Sequence, residues 1–248
     1  MSVLNKNVKL IALDMDGTVL NNDLEISIKN QQVIAEVLNR GIPVVLSTGR
    51  TIMTCRPFSD LLNLTSYLIT VNGSEIWHTS GDLIERTTFT LEQIEMLTSL
   101  RNKYRTKYWS TSINHIYRNE IPEELALHDW LKFGFDVDDD QIREKIMTIL
   151  TQNQTFEITN SSLTNIEVNP AGVNKANALK KICKELGIQM DNVMAMGDSL
   201  NDLAMIKEAG IGIAMGNAQE AVKNVADWTT VNNTDDGVAV AITKFVLQ

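Results

Sequence analysis

Apolar residues recur along this chain in two rhythms, short unbroken runs and stripes spaced by one helical turn. Residues 8–13 are apolar apart from Lys9 and read as a buried strand, which ends abruptly in Asp14-Met15-Asp16-Gly17-Thr18. Ser27 is placed to cap a helix whose apolar positions Val33, Ile34, Val37 and Leu38 share a face, with Gly41 as its stop. A second β-branched run at 42–46 completes a strand–helix–strand unit with a parallel pair. It too ends in a polar turn, Ser47-Thr48-Gly49-Arg50, and a helix is expected to begin near Thr51. A third strand at 67–71 leads through Asn72-Gly73, a strong hairpin signal, into 75–78.

The texture changes near residue 83. A helix is expected over 91–104 and another over 140–150, with a weaker helical pattern at 122–130. Strands are expected within 108–117 and at 156–159 and 166–168. Two helical patterns among several strands, without strand–helix alternation, describe an independent α+β insert. The regular rhythm returns at Asn169-Pro170-Ala171-Gly172. A helix then runs to Leu186, and a strand at 193–196 ends in Gly197-Asp198-Ser199-Leu200-Asn201-Asp202. Short strands at 211–214 and 228–231 and a closing helix over 237–246 finish the chain. The expected architecture is an α/β core made of 1–82 and 168–248, interrupted by an α+β domain at 83–167.

Composition narrows the class. An apolar fraction of 44% with 22 basic and 31 acidic residues describes a globular chain. The net charge of −9 argues against a nucleic-acid surface. No apolar run approaches the ~18–20 residues that span a bilayer, so no membrane partner is expected. The polar start, residues 1–9, has no signal-peptide core. Cys55 and Cys183 are too few for a disulfide framework, which suits a reducing cytoplasm. A monomer and a homodimer are equally compatible with these features.

The chemistry gathers at strand ends. Residues alternate sides along an extended chain, so Asp14 and Asp16 would face the same way if the strand geometry continued. The Thr48 hydroxyl and the amides around Gly49 can hold a phosphate oxygen, helped by a helix N-terminus behind them. Lys175 sits in the first turn of its helix, where positive charge is disfavoured unless the lysine meets an anion. Asp198, Asn201 and Asp202 crowd oxygen acceptors into one turn, and they could equally be a helix cap. Carboxylates without a His or Cys cluster select a hard cation such as Mg2+; His78, His115 and His128 are scattered. Cation, lysine and helix N-terminus together describe a phosphoryl site, and a carboxylate can serve as nucleophile.

In that order, Asp14-Met15-Asp16-Gly17-Thr18, Ser47-Thr48-Gly49-Arg50, Lys175 and Gly197-Asp198-Ser199-Leu200-Asn201-Asp202 resemble the four motifs of the haloacid dehalogenase superfamily. The chain is most similar to its Cof-type phosphatases, which act on sugar phosphates and related small phosphoesters. Ala176 departs from the glycine these enzymes often carry after the lysine. Only 33 residues separate Asp14 from Thr48, whereas 126 separate Thr48 from Lys175, so the insert falls where Cof-type members carry their cap.

The resemblance implies a Rossmann-like core, a cap that closes over the site, and a Mg2+-dependent phosphatase for a small phosphorylated metabolite. It implies Asp14 as nucleophile and Asp16 as general acid and base. The metal would be held by Asp14, the Asp16 backbone carbonyl and Asp198. The phosphoryl oxygens would be held by the Met15 and Gly49 amides, Thr48, Lys175 and Asn201, with Asp202 orienting its neighbours. A phosphoryl-transferring mutase and a non-catalytic aspartyl-phosphate acceptor remain as alternatives.

Overall fold

The structure, a computed structural model, describes residues 7–248. Positions 1–6 of the polar start, where a signal-peptide core would fall, lie outside the described residues. The first part of the chain forms β1 (Leu10–Leu13), α1 (Ile28–Asn39), β2 (Val44–Ser47), α2 (Ile52–Leu61), β3 (Tyr67–Thr70), β4 (Glu75–His78) and β5 (Leu83–Arg86). There follow α3 (Leu91–Tyr104), β6 (Lys107–Ser112), β7 (Ile116–Arg118), β8 (Trp130–Asp136), α4 (Asp140–Gln152), β9 (Phe156–Thr159) and β10 (Asn165–Pro170). The last part is α5 (Lys175–Leu186), β11 (Val193–Gly197), α6 (Leu203–Glu208), β12 (Ile211–Ala214), α7 (Glu220–Lys223), β13 (Trp228–Thr229) and α8 (Gly237–Ile242).

Two sheets result. The larger has the order β13-β12-β11-β1-β2-β3-β4-β5 and is parallel from β13 to β3, with β4 antiparallel to β3. Its central strand explains the unbroken apolar run. Ile11 and Leu13 join one core with Ile34, Val37 and Ile242, while Leu10 and Ala12 join another with Leu179 and Ile182. Both faces are covered by helices, so every position is buried, and each such aliphatic side chain contributes roughly 1.5–3 kcal/mol. Because β1 lies between β2 and β11, its carboxyl end is the point where the winding reverses, the place where open α/β sheets take their ligands.

The smaller sheet is antiparallel, with the order β7-β6-β8-β10-β9, and its core unites Phe133 and Phe135 with Ile94, Leu97, Ile146 and Leu150 of α3 and α4. The chain forms two compact units, Arg86–Asn174 and the residues on either side. These limits differ from the expected 83–167. Leu83–Arg86 extends the larger sheet, and Asn165–Pro170 is a full strand of the smaller one.

The helix expected at 122–130 is not formed. Only a single 3-10 turn, Leu125–Leu127, occurs there, and Trp130 opens β8. That strand escaped the hydrophobic pattern because Lys132 and Gly134 interrupt it. Lys132 is buried beside Glu167, with Nζ 3.5 Å from Oε1. Gly134 lies under the Trp109 ring, where a Cβ would fall 2.2 Å from ring carbons. No helix among the described residues is long and apolar enough to cross a membrane.

Candidate active site

Three strand ends and one helix start converge. β1 stops at Leu13, although the Asp14 amide still donates to the Met196 carbonyl at 3.0 Å. The backbone then turns, with the Thr18 and Leu20 amides donating to the Met15 carbonyl. Strand geometry therefore does not continue to Asp16, and the two carboxylates separate. The Asp14 side chain is 6% exposed and that of Asp16 is 51% exposed. Asp16 is instead gripped by Arg50, whose Nε donates to Oδ2 at 2.8 Å and whose Nη2 donates to Oδ1 at 2.5 Å.

Asp14 belongs to a different group. Lys175, the first residue of α5 and fully buried, sends its ammonium 2.6 Å from Asp14 Oδ1 and 2.6 Å from Asp202 Oδ1. A lysine misplaced at a helix N-terminus is thus explained by two anions. The second oxygen of Asp202 accepts from the Asp198 and Ser199 amides at 3.0 and 3.1 Å. Both oxygens of Asp202 are committed to holding its neighbours. It can lie so close to β11 only because residue 197 is glycine, since a Cβ there would fall 2.4 Å from Asp202 Cγ. Asp198 receives the Thr18 hydroxyl at 3.4 Å.

One oxygen from each of Asp14, Asp198 and Asp202 lies within 4.8 Å of the others. Three carboxylates against one ammonium leave negative charge unbalanced in a buried place. Burial, then repulsion from Asp202, pushes the Asp14 carboxyl up to about 7 against the pull of Lys175 and the Met15 amide. Burial, then repulsion from Asp14 and Asp202, pushes Asp198 up to about 8. Burial works against the charge of Lys175, yet the two carboxylates raise its pKa and keep it an ammonium. All-oxygen donors with surplus negative charge are the donor set of a hard divalent cation.

Two of the remaining expected residues, Thr48 and Asn201, lie just beyond β2 and β11, the strands that flank β1. Thr48 is buried after β2, and its hydroxyl accepts from the Arg50 amide at 3.1 Å, with Gly49 between them. Asn72 donates its amide to the Thr48 carbonyl, and its side-chain oxygen receives Asn201 Nδ2 at 3.4 Å. Asn72 and Val71 both have positive φ, at +60° and +50°. For a β-branched residue this is a genuine strain, stored where the turn ties β3 to the loop after β2. In the sequence Asn72 reads only as a turn residue, and Arg50, Thr18 and Asn217 have no separate role. Asn217 Nδ2 donates to the Gly17 carbonyl at 2.8 Å and pins the acidic turn. The Asn-Gly dipeptide was the one available signal; the others depend on contacts made across long stretches of chain.

A parallel sheet with carboxylates, a lysine and a hydroxyl gathered at its winding reversal defines an enzyme of phosphoryl chemistry. The model of the haloacid dehalogenase-like hydrolases matches residues 11–150 and 114–242, and the chain belongs to that family, in its Cof-type group. It is a phosphatase, a phosphoric monoester hydrolase. It is 54% identical, over all of both chains, to the 5-amino-6-(5-phospho-D-ribitylamino)uracil phosphatase YcsE of Bacillus subtilis. It is also 28% identical to a phosphoglycolate phosphatase of Methanobrevibacter smithii, over 97% of this chain and all of the relative. Among solved structures, a haloacid dehalogenase-like hydrolase from B. subtilis superposes with a TM-score of 0.88 at 25% identity, covering 97% of this chain and all of that one.

Proposed function

We propose that this protein is a Mg2+-dependent phosphatase acting through an aspartyl-phosphate on Asp14, and that its substrate is 5-amino-6-(5-phospho-D-ribitylamino)uracil. The observation that carries the chemistry is the Lys175 ammonium, 2.6 Å from both Asp14 and Asp202 in a fully buried position. It favours the anionic form of the nucleophile against the effect of burial, and orients it, while presenting positive charge to an incoming phosphoryl group. Identity of 54% over the full length supports the substrate, whereas relatives at 28% include one named for phosphoglycolate.

In this reading Asp14 attacks phosphorus in line, and the P–O bond to the leaving alkoxide breaks. Asp16 gives its proton to that alkoxide and then takes one from the water that hydrolyses the aspartyl-phosphate. Thr48, the Met15 and Gly49 amides, Lys175 and Asn201 bind the phosphoryl oxygens. Asp202 holds Lys175 and the Asp198 backbone in place. Asp14, Asp198 and the Asp16 backbone carbonyl would hold Mg2+, which supplies positive charge against the repulsion between carboxylate and phosphate. Two buried free thiols, Cys55 and Cys183, suit the reducing cytoplasm.

The test is phosphate release from the ribitylaminouracil phosphate, phosphoglycolate and a panel of sugar phosphates, with Mg2+ or with EDTA. The expected result is the highest kcat/KM for the ribitylaminouracil compound and no turnover in EDTA. A higher value for another compound would overturn the substrate, and turnover in EDTA would overturn the cation.

A further inference from the structure

We propose that Arg50 is a positioning residue that fixes the carboxylate of Asp16 for the water-activating step, an inference that rests on the phosphatase reading above. Asp16 stands on a turn beyond the end of β1 with half of its side chain exposed, so packing alone does not set its rotamer. Arg50 does. Its Nε and Nη2 take one carboxylate oxygen each, at 2.8 and 2.5 Å, the planar fork that only a guanidinium offers.

Arg50 is the fixed partner. Its side chain is 19% exposed against 51% for Asp16, and its Cζ lies 5.3 Å from the centre of the Phe58 ring on α2. Its backbone is held at both ends, the amide by the Thr48 hydroxyl and the carbonyl by the amide of strained Val71. The loop that carries Thr48 toward the phosphoryl site therefore also carries the clamp for the acid–base residue.

The pairing distinguishes the two half-reactions. A carboxylate oxygen that accepts one guanidinium N–H keeps a lone pair free, so a clamped Asp16 still accepts a proton from water. To act as an acid, the same carboxyl must carry a proton and give up one of those N–H bonds. The arrangement is thus suited to hydrolysis of the intermediate. The water oxygen bonds to phosphorus, and the phosphorus–oxygen bond to Asp14 breaks with its electron pair returning to that carboxylate. The water proton passes to Asp16, and inorganic phosphate leaves.

Rapid mixing with p-nitrophenyl phosphate tests this, because p-nitrophenolate leaves without a proton donor and reports formation of the aspartyl-phosphate. In Arg50→Ala, kcat is expected to fall at least ~10-fold, part of a typical general-base contribution, with KM falling alongside it so that kcat/KM, which reports the first step, stays within about twofold of wild type. A burst near one p-nitrophenolate per site should precede the slow phase, and millimolar guanidinium should restore part of the rate. Arg50→Lys, which keeps the charge without the fork, should show the same defect and decides the matter if Arg50→Ala does not fold. A raised KM with kcat intact would overturn the proposal in favour of a phosphate ligand. A lost kcat with neither burst nor rescue would make Arg50 structural. An inactive wild-type protein would overturn the phosphatase reading as well; an active one with indifferent Arg50 variants overturns this proposal alone.

Discussion

Gly17 and Asp198, far apart in sequence, occupy adjoining space: a Cβ on Gly17 would fall 2.5 Å from Asp198 Oδ2. The turn after β1 and the turn after β11 fit together only because one of them lacks a side chain. Gly17 also has a φ of +81°, which an L side chain resists. Gly17→Ala is therefore expected to cost about 1–2 kcal/mol from backbone strain alone and to displace Asp198. Turnover titrated with Mg2+ should need a higher cation concentration; an unchanged titration would show that Asp198 does not hold the ion.

Lys175 is the counter-charge shared by two buried carboxylates, those of Asp14 and Asp202. Lys175→Met leaves Asp14 and Asp202 buried and unpaired, so urea unfolding should show a loss of about 3–5 kcal/mol, together with loss of phosphate release. Combining it with Asp202→Asn should recover part of the stability and none of the activity. Equal stability of Lys175→Met and wild type would mean that the pair of contacts contributes nothing.

The raised carboxyl groups make a pH prediction. Asp14 at about 7 and Asp198 at about 8 bind protons more tightly in the folded state than the unfolded value of 3.8 allows. Between about pH 4 and 8 the folded protein holds the extra protons, so this part of the stability falls as pH rises through that window. In EDTA, Tm should decline from pH 5.5 to 8, and Asp198→Asn should flatten the decline. Mg2+ should raise Tm more at pH 8 than at pH 5.5, since it binds the deprotonated form. Equal Mg2+ effects at both values would contradict cation binding by these acids.

The two acids of the opening motif should fail differently. Asp14→Asn removes the proposed nucleophile and is expected to abolish release from p-nitrophenyl phosphate and natural substrates alike. Asp16→Ala should cut turnover of an alkyl phosphate by at least ~100-fold, and less with p-nitrophenyl phosphate, whose leaving group needs no acid in the first step. Comparable losses on both substrates would place the role of Asp16 in the second step alone.

Local sequence determined which segments are strands and helices of the core, since an unbroken apolar run or a turn-spaced stripe leaves little choice of partner environment. It also marked Lys175, whose charge is out of keeping with a helix start, whereas Asp14, Thr48, Asp198 and Asn201 suit a turn or a helix cap as well and stood out only through the motifs taken together. What it could not determine were relations that depend on where distant segments come to rest. The separation of Asp14 from Asp16 follows from β1 ending at Leu13, one residue before strand alternation would have placed them together. β8 was hidden because Lys132 and Gly134 look polar and weak until Glu167 and Trp109 are brought against them. The grip of Arg50 on Asp16, and the need for glycine at 17 beside Asp198, arise from contacts between the turns that follow neighbouring strands of a parallel sheet. Such neighbours are joined by long crossovers, so their contacts leave no short-range pattern, and only the tertiary structure decides them.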